Sequence, residues 1–337
     1  MSDDNKPPLV DPVTPGARDW QRPLIRRLVE LQQSEQLPHA LLVEPGTRVD
    51  SRDFGWLLAQ ALLCQGKGGG EGERPCGDCE HCRLMAANSY PDFSFVTLER
   101  NPKRDFKLNR DITVDQIRQL IHRMSLTVSQ GQGRIALIYP AERMNREAAN
   151  SLLKTLEEPA PDSTLILLTH HAARLPITIR SRCQRWRVEH PPHAEAADWL
   201  RHQGVESGRI EAALQLAGDD PEYALQLAQD GFLDKQLAFE EQLQAFLADR
   251  LDAPSLVQQQ KDLDNDDWRQ LIASSIDRRI REQAAVTRDA ASKQRLRRLL
   301  DLQARSERPL QVEETNLNLQ LQLEDLLISL KHSINSR

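Results

Sequence analysis

Short apolar runs alternate with segments of helical period through the first half of the chain, and helical period alone fills the second half. Ala40-Leu41-Leu42-Val43, Phe93 to Leu98, Ile135 to Tyr139 and Thr164 to Thr169 are too short for stable helices, so they predict buried strands. Trp20, Leu24, Ile25, Leu28 and Leu31 recur at helical spacing between Asp19 and Leu37, and Pro23 is tolerable there because it falls in the first turn. Phe54, Leu57, Leu58, Ala61 and Leu62 share one helical face, and Val114 to Met124 and Arg146 to Glu158 carry the same period. Strands that alternate with helices imply a parallel sheet covered on both faces. The first ~17 residues, rich in proline, read as a loose arm.

After Cys183 the strand signal fades. His190-Pro191-Pro192-His193 reads as a hinge. Helices are predicted over Glu195 to Arg201, Arg209 to Ala217 and Pro221 to Leu233, followed by a long helical tract. The span 191–231 is sized for a compact helical module, and the rest for a helical bundle. One conflict of period arises near the end: Leu317, Leu319, Leu321 and Leu323 alternate as in a strand. Leu319, Leu323, Leu326, Leu327 and Leu330 also fit a helical stripe, and the scarcity of β-branched residues decides for helix.

At 337 residues the chain is too long for one ordinary core, so two or three domains are expected. Its net charge of −6 argues against a surface that grips nucleic acid throughout, though not against a local basic patch. The opening Met1-Ser2-Asp3-Asp4 is acidic and does not resemble a secretory signal. The longest apolar stretch, near Leu57 to Cys64, falls short of the ~20 residues that span a bilayer. A cytoplasmic location is the expectation, and five cysteines there suggest thiols or metal ligands rather than disulfides. Residues 239–267 are predominantly acidic and 269–308 predominantly basic. Solvated helix faces explain this segregation, and a charge-steered subunit contact is the alternative.

Cys64, Cys76, Cys79 and Cys82 follow the spacing C-x11-C-x2-C-x2-C. Two-residue gaps let neighbouring thiolates turn toward one ion, and four sulfurs complete the tetrahedron that zinc prefers. Gly66, Gly68, Gly69, Gly70 and Gly72 supply a loop with little strain. Four protein ligands leave no position open for water, so the site is expected to be structural. His81 is an alternative to one of the sulfurs. A free-standing zinc module that reads DNA would need a recognition helix behind the cluster, and no such pattern follows it.

A strand, a glycine turn and a helix form the usual cradle for phosphate, with the pattern G-x-x-x-x-G-K-[ST]. Gly46-Thr47-Arg48-Val49-Asp50-Ser51-Arg52 lacks the second glycine and the lysine, and Asp50 falls near the lysine position. A carboxylate ~4 Å from a phosphate repels it by roughly 4 kcal/mol per charge pair at an effective dielectric of 20. Arg48 or Arg52 offsets part of that repulsion without being placed by the motif. The strand Ile135 to Ile138 runs into Tyr139-Pro140, where carboxylates would have to hold Mg²⁺, and Glu142 arrives out of register. Both halves of an ATP site are degraded.

Ala149-Asn150-Ser151-Leu152-Leu153-Lys154-Thr155-Leu156-Glu157-Glu158-Pro159, followed by Ser181-Arg182-Cys183, resembles the bacterial clamp-loader subunits, AAA+ proteins of the DNA polymerase III holoenzyme. The likeness covers about residues 20–190. The cysteine insertion and the lost phosphate loop narrow it to the subunit that does not turn over ATP, although the x11 gap is longer than that family's first gap. The resemblance implies an α/β-then-all-α chain. A RecA-like AAA+ domain would span 1–190 with a zinc module at 64–82, a small helical lid 191–231, and a helical collar domain 232–337.

It also implies a rigid stator in an open ring that places the sliding clamp on primed DNA. Motor (gamma/tau) subunits and a clamp-opening delta subunit would be its partners. Arg182 would act in trans at the neighbour's ATP site, where a permanently charged guanidinium can bridge phosphate oxygens. Arg180 and Arg185 flank it, so a generic basic surface is the plainer alternative. Cys183 reads as a small core residue. Lys154 faces either another subunit, the DNA backbone or solvent. His170 and His171 sit where the family carries a sensor element and receive no role here. An active AAA+ ATPase would bind Mg·ATP as an isolated chain, and an independent zinc-dependent nucleic-acid module would bind DNA in a salt-sensitive way without partners.

Overall fold

The computed structural model describes residues 16–66, 74–101, 106–129, 133–259, 263, 265–286, 289–306 and 319–335. Most of the expected N-terminal arm, Gly68, Gly69, Gly70, Gly72 and Leu317 lie outside them. The chain divides into two compact units between Pro191 and Pro192.

The first unit runs α1 (Arg22–Gln33), β1 (Ala40–Glu44), α2 (Arg52–Leu63), α3 (Glu80–Ala86) and β2 (Phe93–Val96). A small antiparallel hairpin follows, β3 (Arg100–Asn101) and β4 (Lys107–Leu108), then α4 (Val114–Met124), β5 (Arg134–Ile138), α5 (Arg146–Glu157), β6 (Ser163–Leu168), α6 (Ile177–Arg180) and β7 (Gln184–Arg187). The main sheet is parallel in the order β2-β5-β6-β1-β7. Period-two alternation sends Leu41, Val43, Ile135, Leu137, Ile166 and Leu168 to the core under α1, α2 and α3. Ala40, Leu42, Ala136, Ile138, Leu165 and Leu167 face the opposite core under α4, α5 and α6.

Besides α3, which opens at Cys79 within the cysteine cluster, and α6, neither of which the sequence reading includes, three features differ from it. First, β7 is a strand where the strand signal fades. Gln184-Arg185-Trp186-Arg187 is polar because it forms the sheet edge, and backbone pairing of Leu41 to Gln184 and Val43 to Trp186 defines it rather than burial. Second, α2 is buried on nearly every side, Trp56 meeting Phe93 and Phe95 edge-on at 4.9 and 5.5 Å, so its amphipathic stripe understates its burial. Third, the hairpin of β3 and β4 was not anticipated, since each strand is only two residues long.

The second unit is helical: α7 (His193–His202), α8 (Ser207–Ala217), α9 (Pro221–Gln229), α10 (Phe232–Leu247), α11 (Ala253–Gln259), α12 (Asn265–Val286), α13 (Ala290–Ser306) and α14 (Leu319–Asn335). The single helix expected over Pro221 to Leu233 is two, because Gly231 adopts φ +68° at the start of α10, a conformation that ends a right-handed helix. The leucine-rich tail resolves as helix: Leu323, Leu326, Leu327 and Leu330 are buried on α14 and Leu321 is exposed. Part of the segregated charge is paired inside this unit. The buried Glu240 carboxylate accepts from Arg278 at 2.5 Å and from Ser275 at 2.5 Å, with Arg279 at 3.4 Å. No helix among the described residues is long and apolar enough to cross a membrane.

One buried ion pair locks the start of β5. Arg134 Nη2 donates to Asp92 Oδ1 at 2.9 Å, and the same guanidinium caps the carbonyls of Met124, Leu126 and Thr127. Asp92, wholly buried, also accepts from the Ser129 amide through both oxygens. Removing one member of such a pair strands the other charge in a dry interior. Asp92→Ala is expected to lower unfolding free energy by about 3–5 kcal/mol in urea titrations. Breaking the exposed Arg27–Glu30 pair should cost less than about 1 kcal/mol.

Candidate functional site

In the parallel order β5-β6-β1 the carboxyl ends of three adjacent strands share one edge of the sheet, and α2 begins there. This is where open parallel sheets bind ligands, with phosphate at the helix N-terminus. Here the position is filled by the chain itself. The Ser51 amide donates to the Tyr139 hydroxyl at 3.1 Å, and that hydroxyl lies 2.8 Å from His170 Nε2. His170 Nδ1 lies 2.6 Å from the Thr47 carbonyl.

A carbonyl only accepts, so Nδ1 carries a ring proton, and the Tyr139 oxygen accepts from the Ser51 amide. The result is a hydrogen-bonded chain from one side of the loop to the other. Burial, reinforced by the nearby Asp50 carboxylate, pushes the Tyr139 phenol well up, so it stays a neutral donor.

Two more loop amides are engaged within the loop. Val49 N–H donates to Thr47 Oγ1 at 3.2 Å, and Arg52 N–H donates to Asp50 Oδ1 at 3.0 Å. Asp50 further holds the Arg52 guanidinium at 2.6 Å, so Arg52 is one of the two arginines that can offset its charge. Glu142, out of register for a magnesium site, accepts from Thr169 Oγ1 at 2.6 Å, and Thr169 Oγ1 accepts from the His171 amide. His170 therefore has a place that the sequence reading did not give it. The available signal was an aromatic residue ending β5 where acids belong, beside a histidine following β6.

The four cysteines come together. Their sulfurs all lie within 4.8 Å of one another, with Cys64–Cys79 at 3.9 Å and Cys76–Cys82 at 4.0 Å. A tetrahedral ion with metal–sulfur bonds of ~2.3 Å requires sulfur–sulfur edges of ~3.8 Å, so the set fits a zinc-sized ion. Backbone amides support the sulfurs: Cys76 N–H donates to Cys64, Cys79 N–H to Cys76 and Cys82 N–H to Cys79, each at 3.4 Å. Burial works against ionising Cys79, but the amides of Cys82 and Gln65 outweigh it and hold the thiol down to about 6.

His81 is outside the set. Its Nδ1 pairs with the Tyr90 hydroxyl at 2.7 Å, which anchors α3 to the core. Cys183 is buried, and burial alone raises its thiol to about 11, as a small core residue would be.

Arg182 follows α6 and is only partly covered, at 35% side-chain exposure. Its Nε and Nη2 donate to Glu157 Oε1 at 2.9 and 2.5 Å, and its Nη1 donates to the Thr178 carbonyl at 2.9 Å. Arg185 pairs instead with Glu44 at 2.6 Å, so the two neighbouring arginines are held by different elements. Lys154 is exposed on α5.

A parallel sheet of this strand order, with α2 opening at the end of β1, is the RecA-like arrangement of an AAA+ domain. The sequence profile described as "DNA polymerase III, delta subunit" matches residues 20–192. A protein of Haemophilus influenzae called DNA polymerase III subunit delta' is 31% identical over 252 residues, covering 74% of this chain and 73% of its own. Its counterpart in Pseudomonas aeruginosa is 32% identical over 246 residues, covering 71% and 70%. A solved gamma subunit-related protein of Thermotoga maritima aligns over 91% of this chain and 99% of its own, at 17% identity and a TM-score of 0.44. The chain belongs to the delta' family of DNA polymerase III subunits.

Gly66 shows how tightly the cysteine loop is drawn. A Cβ at this position would run into Cys76 Sγ, so no larger residue fits without moving that sulfur. Gly66→Ala is expected to lower the metal content of the purified protein, read by elemental analysis, together with its melting temperature. Gly208→Ala, where a Cβ meets open space, should leave both the metal content and the fold intact.

Proposed function

We propose that this delta' family chain is the stator of the clamp loader: it binds no nucleotide productively itself and lends Arg182 to the ATP site of a neighbouring motor subunit. The observation that carries the first half is the chain Ser51–Tyr139–His170–Thr47, which takes up the Ser51 amide at the start of α2 and ties the loop to the ends of β5 and β6. With the Val49, Ser51 and Arg52 amides engaged and Asp50 near the lysine position, a triphosphate that used them would have to break internal hydrogen bonds and meet a carboxylate. The second half is supported by a guanidinium that is partly exposed and held at the end of a short helix, with donors to spare. An arginine finger supplied in trans stabilises charge on the transferring phosphoryl group.

In this reading the four cysteines hold a structural Zn²⁺, which staples the loop between α2 and α3 and leaves no open position for chemistry. Residues 191–231 serve as lid and 232–337 as collar. The partners are the motor (gamma/tau) subunits and the clamp-opening delta subunit, and contact with the sliding clamp and primed DNA comes through the complex. The place of action is the cytoplasmic replisome.

The test is steady-state ATP hydrolysis by the reconstituted loader with clamp and primed DNA, wild type against Arg182→Ala, with ring assembly checked by gel filtration. A loss of hydrolysis in an intact ring is expected, and fingers of this kind are worth about 10³–10⁵ at the site they serve. Unchanged hydrolysis would leave the chain as a scaffold only. Saturable Mg·ATP binding by the isolated chain would point instead to an active ATPase, and partner-free, salt-sensitive DNA binding to a nucleic-acid module.

A further inference from the structure

We propose that Glu157 is the positioning residue for Arg182, fixing the guanidinium so that its outer edge is presented to phosphate. This rests on the trans-arginine reading above. A guanidinium carries five N–H donors in a rigid plane. The inner edge, Nε and Nη2, converges on the single oxygen Glu157 Oε1, while one Nη1 donor goes to the Thr178 carbonyl. Those contacts come from two elements, the last residue of α5 and the first turn of α6, so they fix both the position and the plane of the group. The outer edge keeps one N–H on each Nη, and that pair matches two phosphate oxygens in the bidentate geometry arginine favours.

The arrangement also answers an electrostatic difficulty. A carboxylate beside a finger would repel the phosphate it is meant to meet. Binding the Nε/Nη2 edge keeps Glu157 off the Nη1/Nη2 edge, about 120° round the guanidinium plane, so each anion meets the cation on its own edge. The carboxylate does not cost the arginine its charge, because guanidinium does not lose its proton in proteins. Glu157 is half exposed at 51%, and α5 is anchored independently by the buried Leu152 and Leu156. Its substitution should therefore leave the fold intact while freeing the arginine.

The measurement is ATP hydrolysis by the complete reconstituted loader with clamp and primed DNA, as a function of ATP concentration. Glu157→Ala, Glu157→Gln, Arg182→Ala and the double variant Glu157→Ala/Arg182→Ala are compared with wild type. Glu157→Ala is expected to remove at least about half of the hydrolysis that Arg182→Ala removes, through kcat with KM for ATP unchanged, since misplacing a group costs rate rather than binding. Glu157→Gln keeps an oxygen for the inner edge and should recover most of the wild-type rate. The double variant should be no slower than Arg182→Ala alone, because both act through one group.

Wild-type hydrolysis in Glu157→Ala while Arg182→Ala is impaired would overturn the positioning role and leave the finger standing. So would faster hydrolysis in Glu157→Ala, or a further drop in the double variant. Unchanged hydrolysis in Arg182→Ala would overturn the finger, and the role of Glu157 with it.

Discussion

The hydrogen-bonded chain from Ser51 through Tyr139 and His170 to Thr47 is the constraint around which the first unit is arranged. It joins the ends of β1, β5 and β6 and the N-terminus of α2, the four places from which an AAA+ domain builds a nucleotide site. Each group in it satisfies the next, so opening the loop would expose several polar groups at once in a poorly solvated pocket. Asp50 is tolerated near the lysine position because Arg52 beside it pairs its charge.

α2 is thereby held at both ends. Its N-terminus is closed by the Tyr139 network, and its C-terminus leads directly into Cys64, whose sulfur joins those of Cys76, Cys79 and Cys82. Gln60 on the same helix donates to the Cys82 carbonyl at 3.2 Å, so the cysteine loop and the helix are tied independently of any ion. A helix fixed in this way, buried on nearly all sides, suits a subunit that holds its shape while its neighbours cycle. The moving parts of the chemistry would belong to the neighbour, and this chain's contribution would be the fixed geometry of Arg182 on Glu157 and Thr178.

Much of the first unit was legible because burial and period coincide there. Ala40 to Val43 and Ile135 to Ile138 face a core on both sides, and parallel strands of that kind read as continuous apolar runs. β7 was not legible for the converse reason: as an edge strand its identity lies in backbone pairing to β1, which polar side chains do not announce. Two-residue gaps bring Cys76, Cys79 and Cys82 together, Cys64 joins them across a longer loop, and His81 stays outside the four sulfurs with its Nδ1 paired to Tyr90. The loss of the phosphate lysine was readable, but what replaces it was not. Tyr139 and His170 are far apart in sequence, and only the strand order brings them together. Likewise Arg182 stood out by its motif, whereas its partner Glu157 lies in a different motif that only the packing of α5 against α6 brings near.

The claim that the loop is closed from within is tested most directly by equilibrium titration of the full chain with Mg·ATP, followed by calorimetry. No saturable binding tighter than about 1 mM is expected, because phosphate contact with the Val49, Ser51 or Arg52 amides is set against hydrogen bonds already made inside the protein. Saturable binding in the micromolar range, competed by ADP and weakened when Arg48 or Arg52 is replaced, would contradict it and show that the loop opens for nucleotide.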